Sequence, residues 1–176
     1  MAHPWPLFDL RLRTPRLELR LPTDDDLLGL MEVARAGVHD PAATPFKFPW
    51  DELPSPAFER NFLLHWWASR GSWKPERWTL TLAAVAGGRP IGIQDLLARD
   101  FAHRRTVSTG SWLGQAYQRR GYGTEMRAAV LSLLRDSAHA WRSRGTSRAT
   151  KRPLVSLSDS GTCQTASALS RPAGSP

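Results

Sequence analysis

The chain has 176 residues, 41% of them hydrophobic, and a formal net charge of +8. That length suits one domain with a real core, and the lack of any apolar run of about 20 residues excludes a membrane-spanning helix. A single cysteine, Cys163, excludes an internal disulfide and any cysteine-based metal site.

The opening MAHPWPLFDLRLR has no apolar stretch of the kind a secretory signal needs, so the expectation is a cytoplasmic protein. The excess of positive charge invites a nucleic-acid partner, but its distribution argues otherwise. Residues 137–176 carry a net charge of +5, and the preceding 136 residues only +3. Basicity is mostly a property of the tail, and a nucleic-acid partner is not expected.

Leu17 to Leu21 (LELRL) alternates apolar and polar residues and reads as a first strand. Thr23 or Asp24 then caps a helix running through about Val38, with Leu27, Leu30, Met31 and Ala34 on one face. From His39 to Pro56 the chain is rich in proline and aromatics and reads as an ordered loop. Its Phe46, Phe48 and Trp50 either staple the loop to the core or line an acceptor pocket. A second helix spans Pro56 to about Ser72, burying Phe58, Phe62, Leu63 and Trp66. Trp78 to Val85 and Pro90 to about Leu97 form a hairpin around Gly87-Gly88, and Thr106 to Leu113 is the next strand.

That strand breaks at Gly114 and enters a basic loop, Gln118-Arg119-Arg120-Gly121-Tyr122-Gly123. From Thr124 the chain reads as a helix, because Met126, Ala129, Val130, Leu133 and Leu134 recur at helical spacing. Strand, glycine loop and helix start together make an anion cradle. The first N–H groups of a helix lack intrahelical partners and can bind phosphate oxygens. Gly121 and Gly123 let backbone approach a pyrophosphate, while Arg119 and Arg120 add charged donors. The plainer alternative is a simple turn beside a solvated arginine face.

Gln118-Arg119-Arg120-Gly121-Tyr122-Gly123 fits a Q/R-x-x-G-x-G/A signature, and here the chain resembles the GNAT superfamily of acyl-CoA-dependent N-acyltransferases. Gly110-Ser111-Trp112-Leu113-Gly114, Thr124-Glu125-Met126 and the opening Thr14-Pro15-Arg16-Leu17 look like the branch containing ribosomal-protein N-terminal acetyltransferases. The loop is neither a Rossmann nor a Walker motif: the two glycines are too close together, and no Gly-Lys-Ser/Thr follows.

The resemblance covers roughly residues 10–135 and implies acetyl-CoA as cosubstrate, with no metal. It implies that Gln118, Arg119, Arg120, Gly121, Tyr122, Gly123 and Thr124 hold the pyrophosphate. Backbone N–H groups around Leu113 and Gly114 would then meet the thioester carbonyl. The fold it implies is an α/β (α+β) one, a mixed, mostly antiparallel sheet flanked by helices. Residues 1–135 would supply the first two thirds of it, in the order β-α-α-β-β-β-α.

After Arg135 the composition changes. Thirty of the 40 residues from Ser137 to Pro176 are Ser, Ala, Arg, Thr, Pro or Gly, which suits a disordered tail over 136–176 and leaves the fold incomplete. A shift of reading frame near Asp136 accounts for this. Joining the third base of each codon to the next two permits Asn-Glu-Ala across Ala149 to Arg152 and Leu-Gly-Tyr across Asp159 to Thr162. The permitted string matches the family's closing helix pattern, N-x-A-S-x-x-V-x-x-x-L-G-Y.

Amine attack on a thioester needs an oriented acyl group, a polarised carbonyl, a proton acceptor and an acid for the leaving thiolate. The catalytic residues are not identified by the sequence. Ser111 stands where some relatives carry an acid, and Asp95 is either a proton relay through water or an ordinary aspartate on a polar face. In many relatives the acid is a tyrosine of the closing helix; neither Tyr117 nor Tyr122 occupies that position. His3, His39, His65, His103 and His139 have no metal-ligand spacing, and no G-x-S-x-G elbow is present. The expected activity is acetyl transfer to a primary amine, on a protein N-terminus or a small molecule, impaired in the chain as written. The alternatives are a non-catalytic acyl-CoA-binding remnant and an RNA- or ribosome-associated basic protein.

Overall fold

The computed structural model describes residues 3–40, 50–144 and 157–158, with backbone alone for 136–144 and 157–158. The elements are β1 (Arg11–Arg13), β2 (Glu18–Arg20), α1 (Asp24–Arg35), α2 (Ala57–Gly71), β3 (Arg77–Ala86) and β4 (Arg89–Arg99). They continue with α3 (Phe101–Arg104), β5 (Val107–Leu113), α4 (Tyr122–Arg144) and β6 (Leu157–Ser158).

α1 begins where its sequence says it should. The Thr23 side chain accepts from the Asp26 N–H, and the Asp26 carboxylate accepts from the Thr23 N–H, so two orphan donors are satisfied reciprocally. Asp26 is also gripped by both terminal nitrogens of Arg20, one at 2.5 Å and one at 2.9 Å. Burial pushes this carboxyl up, but the bonds from Thr23 and the Arg20 guanidinium outweigh it and hold Asp26 below its ordinary value. α1 ends at Arg35, three residues before the expected Val38, because the backbone turns left-handed at Gly37 (φ 113°).

The strands form one sheet in the order β1-β2-β3-β4-β5-β6. The first five pair antiparallel, and β6 adds two residues parallel to β5. Each face carries its own core. On one, Met126, Val130 and Leu134 of α4 pack on Leu19, Leu82, Leu96 and Val107. On the other, Leu27, Leu30 and Ala34 of α1 and Phe58, Phe62 and Trp66 of α2 cover Ala83, Val85, Ile93 and Trp112. Alternation along β3, β4 and β5 supplies both sets from the same strands.

Three further features differ from expectation. β1 is absent from the sequence reading, because Arg-Leu-Arg carries a single apolar residue. It forms because Thr14 and Leu17 close a tight turn between it and β2, with Thr14 N–H 2.9 Å from the Leu17 carbonyl. α4 starts at Tyr122, two residues early, and runs to Arg144, past the expected boundary at 135. The alanines and arginines of 138–144 are good helix formers and extend it. β6 falls within the segment expected to be disordered, pairing with the edge that β5 leaves open at Val107 and Ser108. Phe46, Phe48 and the rest of the expected tail, 145–156 and 159–176, lie outside the described residues. Among the described residues, no helix is long and apolar enough to cross a membrane.

Candidate active site

Sheet register collects the expected site at one end of the strands. Leu19, Ala84, Gly92 and Leu113 stand in one row across β2 to β5, and the basic loop leaves from the last of them. The Gly114 N–H donates to the Ile91 carbonyl at 2.9 Å. It is therefore not available to a thioester. In an antiparallel pair successive N–H groups point to opposite sides, so the Leu113 N–H turns toward the outer edge of β5. Of the two residues expected to polarise a carbonyl, Leu113 is the one whose N–H faces away from β4, with no partner named among the described residues.

The loop is then tied to the end of α1. Gln115 N–H donates to the Gly37 carbonyl (2.8 Å). The Gln118 side-chain amide donates to the carbonyls of Val38 (2.6 Å) and Leu113 (2.8 Å). Gln118 thus faces inward and fixes the loop, whereas Arg119 and Arg120 stand exposed at its rim. Arg119 and Gly121 both take left-handed backbone, φ 58° and 82°, which curls the chain into the helix. The first N–H of α4 to close a turn belongs to Glu125, bonded to the Gly121 carbonyl at 3.1 Å. Those of Tyr122, Gly123 and Thr124 precede it and have no partner among the described residues, forming a row of donors at the helix start. A Cβ on Gly123 would point into the gap between this turn and β5, 3.8 Å from Leu113 Cδ1.

The sequence gives little sign of what braces the cradle from outside. Glu125 accepts from the Thr14 hydroxyl (2.5 Å), the Arg16 N–H (3.0 Å) and Arg16 Nε (2.7 Å). Arg16 also donates to the Arg120 carbonyl (2.9 Å), and its guanidinium lies 4.6 Å from the Tyr122 ring centroid. The Thr14 hydroxyl bond, with Arg16 behind it, holds the Glu125 carboxyl below its ordinary value despite partial burial. One acidic residue in the first helical turn therefore fastens the β1–β2 turn onto the cradle. The only available sequence signal is an acid suited to a helix start; its partners lie more than 100 positions away.

On the α1/α2 face, Trp50 packs against Phe58, Phe62 and Trp112, with ring centroids 5.8–6.3 Å apart. His39 pairs with Asp51 (2.9 Å) across the ends of the intervening loop. Trp50 and this pair staple the loop to the core. Asp95 is not on a solvated polar face: it is 8% exposed and shares its face with Ile93. Its Oδ1 accepts the Thr81 hydroxyl at 2.7 Å. Burial, only partly offset by that bond, pushes the carboxyl up to about 7. Ser111 lies on the opposite face, the one it shares with Leu113, and does not meet Asp95.

With its carboxyl raised, folded Asp95 keeps a proton that the unfolded chain gives up near 3.8. Stability is therefore greatest below that pH and falls as pH rises from there through about 7. Asp95→Asn removes the cost of a buried charge. Denaturant melts at pH 8 should show the variant more stable by up to about 4 kcal/mol, with the gain vanishing near pH 4.

Among the described residues, no group of three or more His, Cys, Asp or Glu side chains is placed to hold a metal ion. The donor row, the left-handed Gly121 and the gap over Gly123 fit a pyrophosphate with a slender arm leading toward Leu113. The sequence profile of the acetyltransferase (GNAT) domain matches residues 16–151. In overall shape the chain is similar to a protein described as a ribosomal-protein-serine acetyltransferase from Vibrio cholerae. That pair is 22% identical with a TM-score of 0.52, covering 75% of this chain and 70% of that one. It is also similar to a protein described as an acetyltransferase from T. thermophilus, at 16% identity and TM-score 0.52, covering 71% of this chain and 62% of that one. These likenesses establish the fold. With the profile spanning most of its length, the chain belongs to the GNAT acetyltransferase family, whose cosubstrate is acetyl-CoA.

Proposed function

We propose that this chain transfers an acetyl group from acetyl-CoA to a primary amine, on a protein N-terminus or a small molecule, in the cytoplasm. The observation that carries the reading is the row of unpartnered N–H groups at Tyr122, Gly123 and Thr124 behind the left-handed Gly121. Those donors and the rim arginines Arg119 and Arg120 bind the pyrophosphate oxygens. Gln118 holds the loop against Val38 and Leu113, which sets the distance between cradle and strand edge. The Leu113 N–H polarises the thioester carbonyl.

Transfer is slow in the chain as written, because the family's closing helix and its acid are encoded in another frame after about residue 136. The test is acetyl-CoA-dependent thiol release in the presence of an amine. Release above the amine-free blank supports the reading; tight binding of acetyl-CoA without release favours a non-catalytic acyl-CoA-binding protein. Removal of 137–176 leaves acetyl-CoA binding intact on this reading. RNA binding that disappears with the same removal would favour the basic tail as the working part.

A further inference from the structure

At the end of the sheet away from the cradle lies a cavity of about 150 Å³. Its walls come from the segment before β1, the last turns of α2, Trp73 and the start of β3. Leu80 in that wall stands four residues back from Ala84 of the cradle-end row, about 13 Å along β3. We propose that this cavity binds a small neutral aromatic molecule carrying one hydroxyl, a phenol.

Size and lining set the class. An apolar cavity of this volume stays dry and accepts a benzene-sized molecule. Trp5, Trp66 and Trp73 all contribute to the wall, and an aromatic guest gains ring contacts there beyond its area burial. Trp73 is fixed by its Nε1, which donates to the Thr79 carbonyl (2.6 Å), and it meets Trp5 edge-on with centroids 5.5 Å apart. The charged residue of the lining, Arg70, is already engaged, with Nη1 on Asp24 (3.2 Å) and Nη2 on the Pro22 carbonyl. A charged guest would find no free counter-charge, and burying it unpaired is costly. Thr81 gives its hydroxyl to Asp95. The hydroxyls of Ser69 and Thr79, both half-buried in the wall, make no hydrogen bond among the described residues. Each can donate or accept, so one hydroxyl on the guest has partners.

The guest enters past the segment before β1. Among the described residues, the hydrogen bonds of residues 3–10 run only among themselves and to Arg11. Side-chain packing alone therefore ties this segment to α2 and β3, and it can move without breaking a ladder. Trp5 is 41% exposed and stands where the wall meets solvent. A second recess, between the β1–β2 turn and the Gly87–Gly88 hairpin, offers less. Arg13, Arg16 and Arg20 in its lining already pair with Glu18, Glu125 and Asp26.

The test titrates the full chain with p-cresol, toluene and benzoate, following calorimetric heat and the indole N–H signals by NMR. p-Cresol should bind saturably and shift the signals of Trp5, Trp66 and Trp73. It should bind about 10-fold more tightly than toluene, the worth of one neutral hydrogen bond, and more tightly than benzoate. Ser69→Leu puts a larger apolar side chain into the cavity and should weaken p-cresol at least about 10-fold, with the thermal melt still cooperative. Ser69→Ala combined with Thr79→Val keeps the cavity and removes both hydroxyls, so p-cresol should fall to the affinity of toluene. No saturable binding of p-cresol by the parent would overturn the proposal. So would equal affinity for p-cresol and toluene, benzoate bound more tightly than p-cresol, or a folded Ser69→Leu variant that binds p-cresol as the parent does. If Ser69→Leu does not fold, the double variant decides: an undiminished preference for p-cresol over toluene overturns the assignment. None of these readouts depends on acetyl transfer or on coenzyme A.

Discussion

Gly123→Val should abolish coenzyme A binding, weakening it at least about 100-fold, or roughly 2.7 kcal/mol, while the protein stays folded. The effect follows from where a Cβ goes. At Gly123 it lies between the first turn of α4 and Leu113, 3.8 Å from Leu113 Cδ1, and valine adds two further carbons there. On the proposed reading, that gap is where coenzyme A would pass from the donor row to the β5 edge. The backbone at Gly123 is not left-handed, so a side chain there causes no backbone strain. Gly123→Ala separates affinity from stability: alanine at a helical position stabilises by about 0.5–1 kcal/mol relative to glycine, yet affinity should still fall. Gly121→Val should also lose binding, with strain of order 1–3 kcal/mol added because φ is 82° there. Calorimetric titration with coenzyme A, alongside thermal melts, separates the two effects. Equal affinity in Gly123→Val and the parent would remove the loop from the binding site.

The second large effect concerns the carboxyl-terminal part. A single-base correction near codon 136, reading through the Leu-Gly-Tyr pattern, should raise acetyl transfer by about 10²–10⁴-fold over the chain as written. Two causes combine. On the proposed reading, the corrected frame would restore the family's closing helix with its acid for the leaving thiolate. It also supplies family-pattern sequence to follow β5, whose edge from Thr109 to Leu113 has no strand partner among the described residues. Expressing both chains and measuring turnover with the same amine decides it. Equal turnover would mean that residues 137–176 are functional as they stand.

Much of the fold was legible because its signals are local. Thr23 or Asp24 before an apolar stripe at helical spacing announces a helix start, and Gly87-Gly88 between two apolar runs announces a hairpin. The glycine loop and the helix start behind it were legible for the same reason: they are contiguous in the chain. What escaped depends on distant partners. Nothing near Glu125 reveals that it holds Thr14 and Arg16, and nothing in PIGIQDLL says that Asp95 turns toward two helices rather than toward water. A period of two assigns residues to faces but not faces to surroundings. Gln118 shows a related limit, since the family signature marks its position but not that its amide points inward to Val38.

The most direct measurement is an amide chemical-shift titration of the full chain with coenzyme A. The largest and earliest changes should fall on the N–H groups of Tyr122, Gly123 and Thr124, followed by Arg119, Arg120, Gly121 and Leu113, with Gly114 moving little because its N–H is held by Ile91. Saturating shifts elsewhere with this set unmoved, or no saturable shift at all, would contradict the assignment of the cradle.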